Sequence, residues 1–321
     1  MQKYNLIDLP HIVPIRDYND ELSHMTEWLL QFPQVAAIYQ VGSIGAPGIS
    51  DIDLVVVAND QQKLDIQPLA SLTNSGRYLF IHNLYGCSKE QFKEAGKFSF
   101  FGAYKQLSGE KLTGSDSILE ISSTLKQQVA LEFLLKMYIN LVLQKEYKTL
   151  KVRSLLLHVK GLLFDLEFLG IQSGSVFDLI HECMNIRTTW FDQDHPEHEL
   201  ISWFDDFFSA LSRFLEQELK HRAFFVSPES SLRLAKNIRL KKSTHLAYRK
   251  FGIPVPFGSL LFGNKIHKAL NKINTFKIES PFLQENIPTE VGEYFNFIET
   301  CKKYNRTFLP HFYTLSSSLH L

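Results

Sequence analysis

The sequence has no excess of either charge: 34 Lys and Arg stand against 34 Asp and Glu. That removes any global field drawing the chain to nucleic acid or to a membrane. It is also poor in cysteine. Cys87, Cys183 and Cys301 lie far apart without metal-ligand spacing, which fits a reducing compartment better than a disulfide scaffold. The longest apolar stretch, VALEFLLKMYINLVL, is broken by Glu132 and Lys136, so it is too short and too charged to span a bilayer. The opening residues, MQKYNLIDLPHIV, lack a basic segment followed by an apolar one, so no signal peptide is read. The expected location is cytoplasmic, with no membrane partner. GxxxxGK[ST], GxSxG and GxGxxG patterns are missing too, which leaves P-loop, serine-hydrolase and dinucleotide-fold readings without support.

What is present is ordinary in bulk and specific in one place. At 321 residues and 45% hydrophobic content, the chain has ample length for one large domain or two medium ones. DYNDELSHMTEWLLQFPQ places Leu22, Met25, Leu29 and Phe32 at helical spacing, and Pro33 ends the run. VAAIYQV and DIDLVVVA read as strands. A short helix around Pro68, a third strand GRYLFIHNLYG and an edge element YKQLSGEKL complete a small α/β unit. Beyond it the texture becomes helical. Long apolar helices are expected over 120–147 and 150–170. A further helix begins at Ser175 and Asp178 in capping-box spacing, and another runs from Pro196 to about Leu219. Prolines and glycines interrupt every element in the last ninety or so residues. The expected organisation is α+β: a small mixed-sheet α/β domain over 1–117, then a mostly helical domain over 118–321 with an irregular C-terminal extension.

The specific place is VGSIGAPGISDIDLVVV, residues 41–57. Two acids inside an apolar strand are costly unless something compensates them. Residues i and i+2 of a strand share a face, which puts Asp51 and Asp53 together, with Cα atoms about 7 Å apart, while Ile52 and Leu54 face the core. Paired carboxylates of this kind suit Mg²⁺ or Mn²⁺. Gly42 and Ser43 can offer backbone N–H groups and a hydroxyl to a phosphate, and glycines at 42, 45 and 48 let such a ligand approach. As a plain surface loop, the same stretch would use Ser50 and Asp51 as turn residues.

GS, a short loop, then SDIDL between apolar strands resembles the signature of the DNA-polymerase-β-like nucleotidyltransferase superfamily, over about residues 18–115. The resemblance implies a nucleotidyltransferase-type domain followed by a helical partner. It implies that Asp51 and Asp53 hold the metal ions, Mg²⁺ or Mn²⁺, and that Gly42 and Ser43, with Ser50 later in the loop, contact the triphosphate of an NTP, most simply ATP. An NMP unit would pass to a hydroxyl of an acceptor, a small molecule in preference to RNA or protein. The superfamily usually adds a third carboxylate on a neighbouring strand. Here His82 and Asn83 occupy the plausible positions. The acid could come from Glu110, Asp165 or Glu167; His82 could act as general base; or the fold could bind nucleotide without turnover, as a sensor or scaffold. Arg153 and Lys160, seven residues apart, are further candidates for a triphosphate.

Two other stretches attract attention. FDQDHPEHEL gathers acids and histidines, but Asp194 as a helix cap with acids in the first turn explains it without a metal. The basic stretch 233–252 could line a groove for RNA or an anionic acceptor, although as the exposed side of a helix it needs no partner.

Overall fold

The computed structural model describes residues 4–59, 62–95, 98, 104–112, 121–227, 233–235, 237–253, 255–263, 266–303 and 309. The chain is mixed α/β and divides into two compact units, one of His11–Ser122 with Glu293–His320, the other of Met1–Pro10 with Ser123–Gly292.

A three-residue strand, β1 (Asn5–Ile7), belongs to the second unit. The first unit opens with α1 (Ile15–Leu29), whose Tyr18, Leu22, Met25 and Leu29 form one buried stripe. β2 (Val35–Val41) and β3 (Asp53–Ala58) follow as an antiparallel pair, both buried on nearly every residue. β4 (Tyr85–Ser88) joins β3 in parallel, and β5 (Tyr104–Gly109) closes the other edge against β2, giving the order β4-β3-β2-β5. The parallel pair needs a crossover, supplied by a 3₁₀ turn at Pro68–Ala70 and the short helix α2 (Asn74–Leu79). α3 (Lys89–Ala95) follows β4. Ile38, Leu54 and Val56 pack against Tyr18, Met25 and Leu29 of α1, with Leu79 and Leu84 from the crossover. Burying each such aliphatic side chain stabilises the unit by about 1.5–3 kcal/mol.

One element differs from the sequence expectation in a way that matters for the site. GRYLFIHNLYG is not a single strand. Its first four residues end α2, because Thr73 caps that helix by accepting from the Gly76 N–H at 2.9 Å; only Tyr85 and Gly86 enter β4. His82 and Asn83 therefore lie in the connection that precedes the strand. Asp51 likewise sits just outside β3, which begins at Asp53.

In the second unit α4 (Ser123–Tyr147) is buried around most of its circumference. β6 (Thr149–Lys151) pairs with β1 in parallel. The helix expected over 150–170 is interrupted: α5 (Val152–His158), a 3₁₀ turn (Val159–Gly161) and α6 (Leu162–Phe168) replace it. α7 (Ser175–Thr189) and α8 (Glu197–His221) pack on each other and on this core. Neither expected cap forms. Gly174, at φ 108°, holds the cap position of α7, so Ser175 lies within its first turn, and Pro196 rather than Asp194 precedes α8.

The stretch beyond α8 contains a sheet that the sequence pattern does not announce. β7 (Arg233–Ala235), β8 (Ile238–Lys242) and β9 (Ala247–Phe251) are followed by α9 (Gly258–Phe262), α10 (Ile266–Ile273) and β10 (Thr275–Ser280). The strand order is β7-β8-β10-β9, with β8 and β10 parallel and the other pairs antiparallel. The basic stretch 233–252 thus supplies strands β7, β8 and β9 in place of the expected helix. α11 (Thr289–Lys303) starts in the second unit and ends in the first. The three cysteines are buried free thiols. Among the described residues, no helix is long and apolar enough to cross a membrane.

Candidate metal centre

The register of β2 on β3 pairs Val41 with Asp53, so residues 42–52 form the loop joining these two strands. The loop is braced from within and from outside. Ala46 accepts from the Ile49 and Ser50 N–H groups at 3.0 and 2.8 Å, and its own N–H donates to Ser50 Oγ at 3.1 Å. From α1 the fully buried Tyr18 donates its hydroxyl to the Ser50 carbonyl at 2.7 Å and accepts from the Gly48 N–H at 2.9 Å. Tyr78 of α2 donates to the Gly48 carbonyl at 2.5 Å. Gly42 and Gly48 take φ of 73° and 86°, a region costly for other residues. Ile52, buried in the core, sends its N–H to the Leu79 carbonyl at 2.9 Å. That bond fixes the end of the loop against α2, and Asp51 and Asp53 flank it.

β4 is the parallel neighbour of β3, with Val55 opposite Tyr85. The residues leading into both strands therefore emerge at the same end of the sheet, and His82 meets the two acids there. Its Nε2 lies 2.7 Å from Asp53 Oδ1 and 3.9 Å from Asp51 Oδ2. One ligating atom from each of the three side chains falls within 4.8 Å of the others. Nδ1 stands 2.7 Å from the Asn83 carbonyl, which can only accept, so Nδ1 carries a hydrogen. Behind the ring, Tyr85 lies at a centroid distance of 5.0 Å. Asn83 takes no part through its side chain, whose Oδ1 accepts from the Leu84 N–H at 3.0 Å.

The electrostatics follow from this arrangement. Burial favours the neutral imidazole, but the Asp53 carboxylate at contact distance, the Asn83 carbonyl and Asp51 together outweigh it and raise the His82 pKa from 6.5 to about 9. Without a metal, the ring serves as the internal cation of the acid pair. Asp53 Oδ1 is buried, and apart from the His82 ring it meets no donor among the described residues. With the ring neutral, all three groups turn lone pairs to one point, and the second ring nitrogen is held by a backbone carbonyl, as is usual for a metal-ligating histidine. The residues present fit a divalent cation. Carboxylate oxygens and an imidazole nitrogen are both ligand types for first-row divalent metals.

Among the described residues, no other group of three or more His, Cys, Asp or Glu side chains converges in this way. Glu110 is exposed and paired with Lys89 Nζ at 2.7 Å. Asp165 and Glu167 belong to α6 of the second unit. Asp165 is buried there with no partner for Oδ2, and burial holds its pKa well above the usual carboxylate range despite Lys136. Arg153, at 2% exposure, is among the most deeply buried side chains, and Lys160 lies half-buried in the 3₁₀ turn beyond α5. Gly42 and Ser43 are exposed at the end of β2, with open space where a Cβ on Gly42 would sit, whereas Ser50 is buried with its hydroxyl engaged by the loop. In the 191–200 stretch, His195 stacks on Trp190 at 5.4 Å, a packing role. Sequence reasoning passes over both braces: Tyr18 sits on a buried helical stripe with no mark separating a loop brace from a core residue, and Tyr78 lies in a stretch expected to be strand. No protein-family model matches the chain, and no curated protein matches it.

Proposed function

We propose that the protein is a divalent-metal-dependent nucleotidyltransferase that moves an NMP unit, most simply AMP, from an NTP to a hydroxyl of a small-molecule acceptor. What supports this reading is one juxtaposition: Asp51, Asp53 and His82 converge within 4.8 Å beside the exposed Gly42–Ser43 turn. Asp51 and Asp53 would hold Mg²⁺ or Mn²⁺, with His82 Nε2 as third ligand or proton acceptor. The bound cation would neutralise the triphosphate and the departing pyrophosphate. Gly42 and Ser43 offer N–H groups and a hydroxyl to phosphate oxygens. In the transfer, the acceptor oxygen forms a bond to the α-phosphorus, the bond to the bridging oxygen breaks, and pyrophosphate leaves. The braced loop keeps the two carboxylates in register, and such preorganisation matters most where charge develops.

One observation favours a second reading, a catalytically inactive nucleotide sensor or scaffold. The third position holds an imidazole, and Glu110 is engaged by Lys89. Incubation with labelled ATP, Mn²⁺ or Mg²⁺ and a metabolite extract separates the two. Pyrophosphate release by the wild type, lost in Asp51→Ala and Asp53→Ala, supports the transferase. Metal-dependent ATP binding without release supports the sensor. Absence of both binding and release overturns both.

A further inference from the structure

Between Glu229 and Glu279 the sequence contains no acid, while Lys and Arg occur eleven times, in a chain whose charges otherwise balance. The register of the second unit's sheet concentrates part of this charge. Arg239 of β8 is opposite Lys277 of β10, and Lys277 is opposite Arg249 of β9. Lys241 lies two residues beyond Arg239 on the same face. The other face is core, with Ile238, Leu240, Phe276 and Ile278 all buried. Like charges directly opposite one another destabilise a sheet. Protection of an edge strand would explain basic residues on β9, but β8 and β10 are interior strands. The lone acid on this face among the described residues, Glu279, is shared between Arg249 at 3.4 Å and His245 at 3.7 Å.

The same acid-free segment exposes large apolar side chains. Ile253 is 64% exposed, Leu260 65%, Leu261 76% and Phe262 65%, with Ile273 also largely in solvent. Phe251 links the two features: it ends β9 on the basic face, pairs with Thr275, and lies two residues before Ile253. Scattered exposed apolar residues need no explanation, but four within ten residues, Ile253 to Phe262, in a segment rich in Lys and Arg and without acids, do.

We propose that this sheet face and the apolar tip that follows β9 in the chain dock on an anionic lipid surface, the tip entering the headgroup boundary and the Arg–Lys row facing lipid phosphates and carboxylates. The aliphatic character of the tip selects lipid over nucleic acid. Nucleic-acid sites add aromatic platforms to basic grooves, whereas here the Phe251 ring is already covered by Lys277 Nζ at 4.8 Å. Leucines and isoleucines in solvent gain from acyl chains and not from phosphates. This peripheral mode needs no membrane-spanning helix, and it departs from the expectation of no membrane partner drawn from the balanced net charge. It does not depend on the function proposed for Asp51, Asp53 and His82.

The test is cosedimentation of the full chain with vesicles of phosphatidylcholine alone and with about 30% phosphatidylserine. Binding is expected only with the anionic lipid, falling as salt rises. Arg239→Gln with Lys241→Gln should weaken it by about 25-fold, at about fivefold per basic residue near an anionic leaflet. Leu261→Ser with Phe262→Ser should weaken it by about a hundredfold or more. As a separate readout, the indole emission added by Leu261→Trp should shift to the blue on anionic vesicles. The proposal is overturned if sedimentation does not depend on phosphatidylserine, if the apolar pair can be replaced without loss, or if vesicles leave the emission of the Leu261→Trp variant unchanged. Binding to a single-stranded RNA oligonucleotide that survives loss of the apolar pair, without vesicle binding, also overturns it and assigns the face to nucleic acid.

Discussion

Asp53→Asn probes the centre most directly, because it removes the charge in contact with His82 and preserves the size of the side chain. The rise of the His82 pKa from 6.5 to about 9 amounts to about 3 kcal/mol of preference for the charged ring, at about 1.4 kcal/mol per pH unit. Both side chains are mostly shielded, at 18% and 23% exposure, so solvent screening leaves much of this in place. The folded-state value lies above the unfolded one. The stabilisation is therefore complete below pH 6.5 and disappears as pH rises through about 9. With a chelator present, histidine Cε1–H NMR should show His82 of the wild type titrating near pH 9 and His82 of Asp53→Asn much nearer 6.5. Denaturant midpoints of the wild type should fall between pH 6.5 and 9, while those of the variant stay nearly flat. Calorimetry with Mn²⁺ should give the opposite trend. Metal competes with the proton on Nε2, so wild-type affinity should climb about tenfold per pH unit up to about pH 9. A wild-type His82 that titrates near 6.5, or that titrates alike in both proteins, would refute the reasoning.

Three further substitutions test the frame around the site and the second unit. Tyr18→Phe strands the Gly48 N–H and the Ser50 carbonyl in the interior, and should cost about 1–3 kcal/mol in chemical denaturation and weaken Mn²⁺ binding. Gly109→Ala places a Cβ 2.2 Å from the Ala36 carbonyl oxygen at a φ of 88°. Strand β5 must shift or detach, and thermal melting should show a loss of at least about 2 kcal/mol. Asp165 in its raised state holds a proton that the unfolded chain releases, so wild-type stability should fall as pH rises above the ordinary carboxylate range, by up to about 1.4 kcal/mol per pH unit. Asp165→Asn should remove that slope and raise stability at pH 7, as denaturation across pH would show.

The parts of the fold legible in the sequence are those where pattern and burial agree. α1 announces itself through Leu22, Met25 and Leu29, and β2 and β3 through continuous apolar runs buried on both faces. The second half of the crossover misleads because Tyr78, Leu79, Phe80 and Ile81 have strand-like composition. The Thr73 cap instead starts a helix that takes in Tyr78 and Leu79, and Phe80 and Ile81 fall in the connection that follows it. The β7–β10 sheet stays hidden for a different reason. Its parallel pair, β8 and β10, is separated by more than thirty residues that include β9, α9 and α10, and no local periodicity reports such a partner. At the site, the two aspartates are readable from their spacing, and His82 stands out as a candidate for the third position. That it closes on Asp53 depends on where a parallel strand begins, which is a property of the sheet and not of the motif.

The lock on the His82 ring is a main-chain oxygen, that of Asn83. Every amino acid brings the same oxygen, so the tautomer rests on where the backbone at position 83 runs and not on a side-chain acceptor. Reorienting the imidazole instead requires moving the backbone between α2 and β4. Whatever chemistry His82 supports is insured by the path of the chain, which the Asn83 side chain helps to hold through the Leu84 N–H.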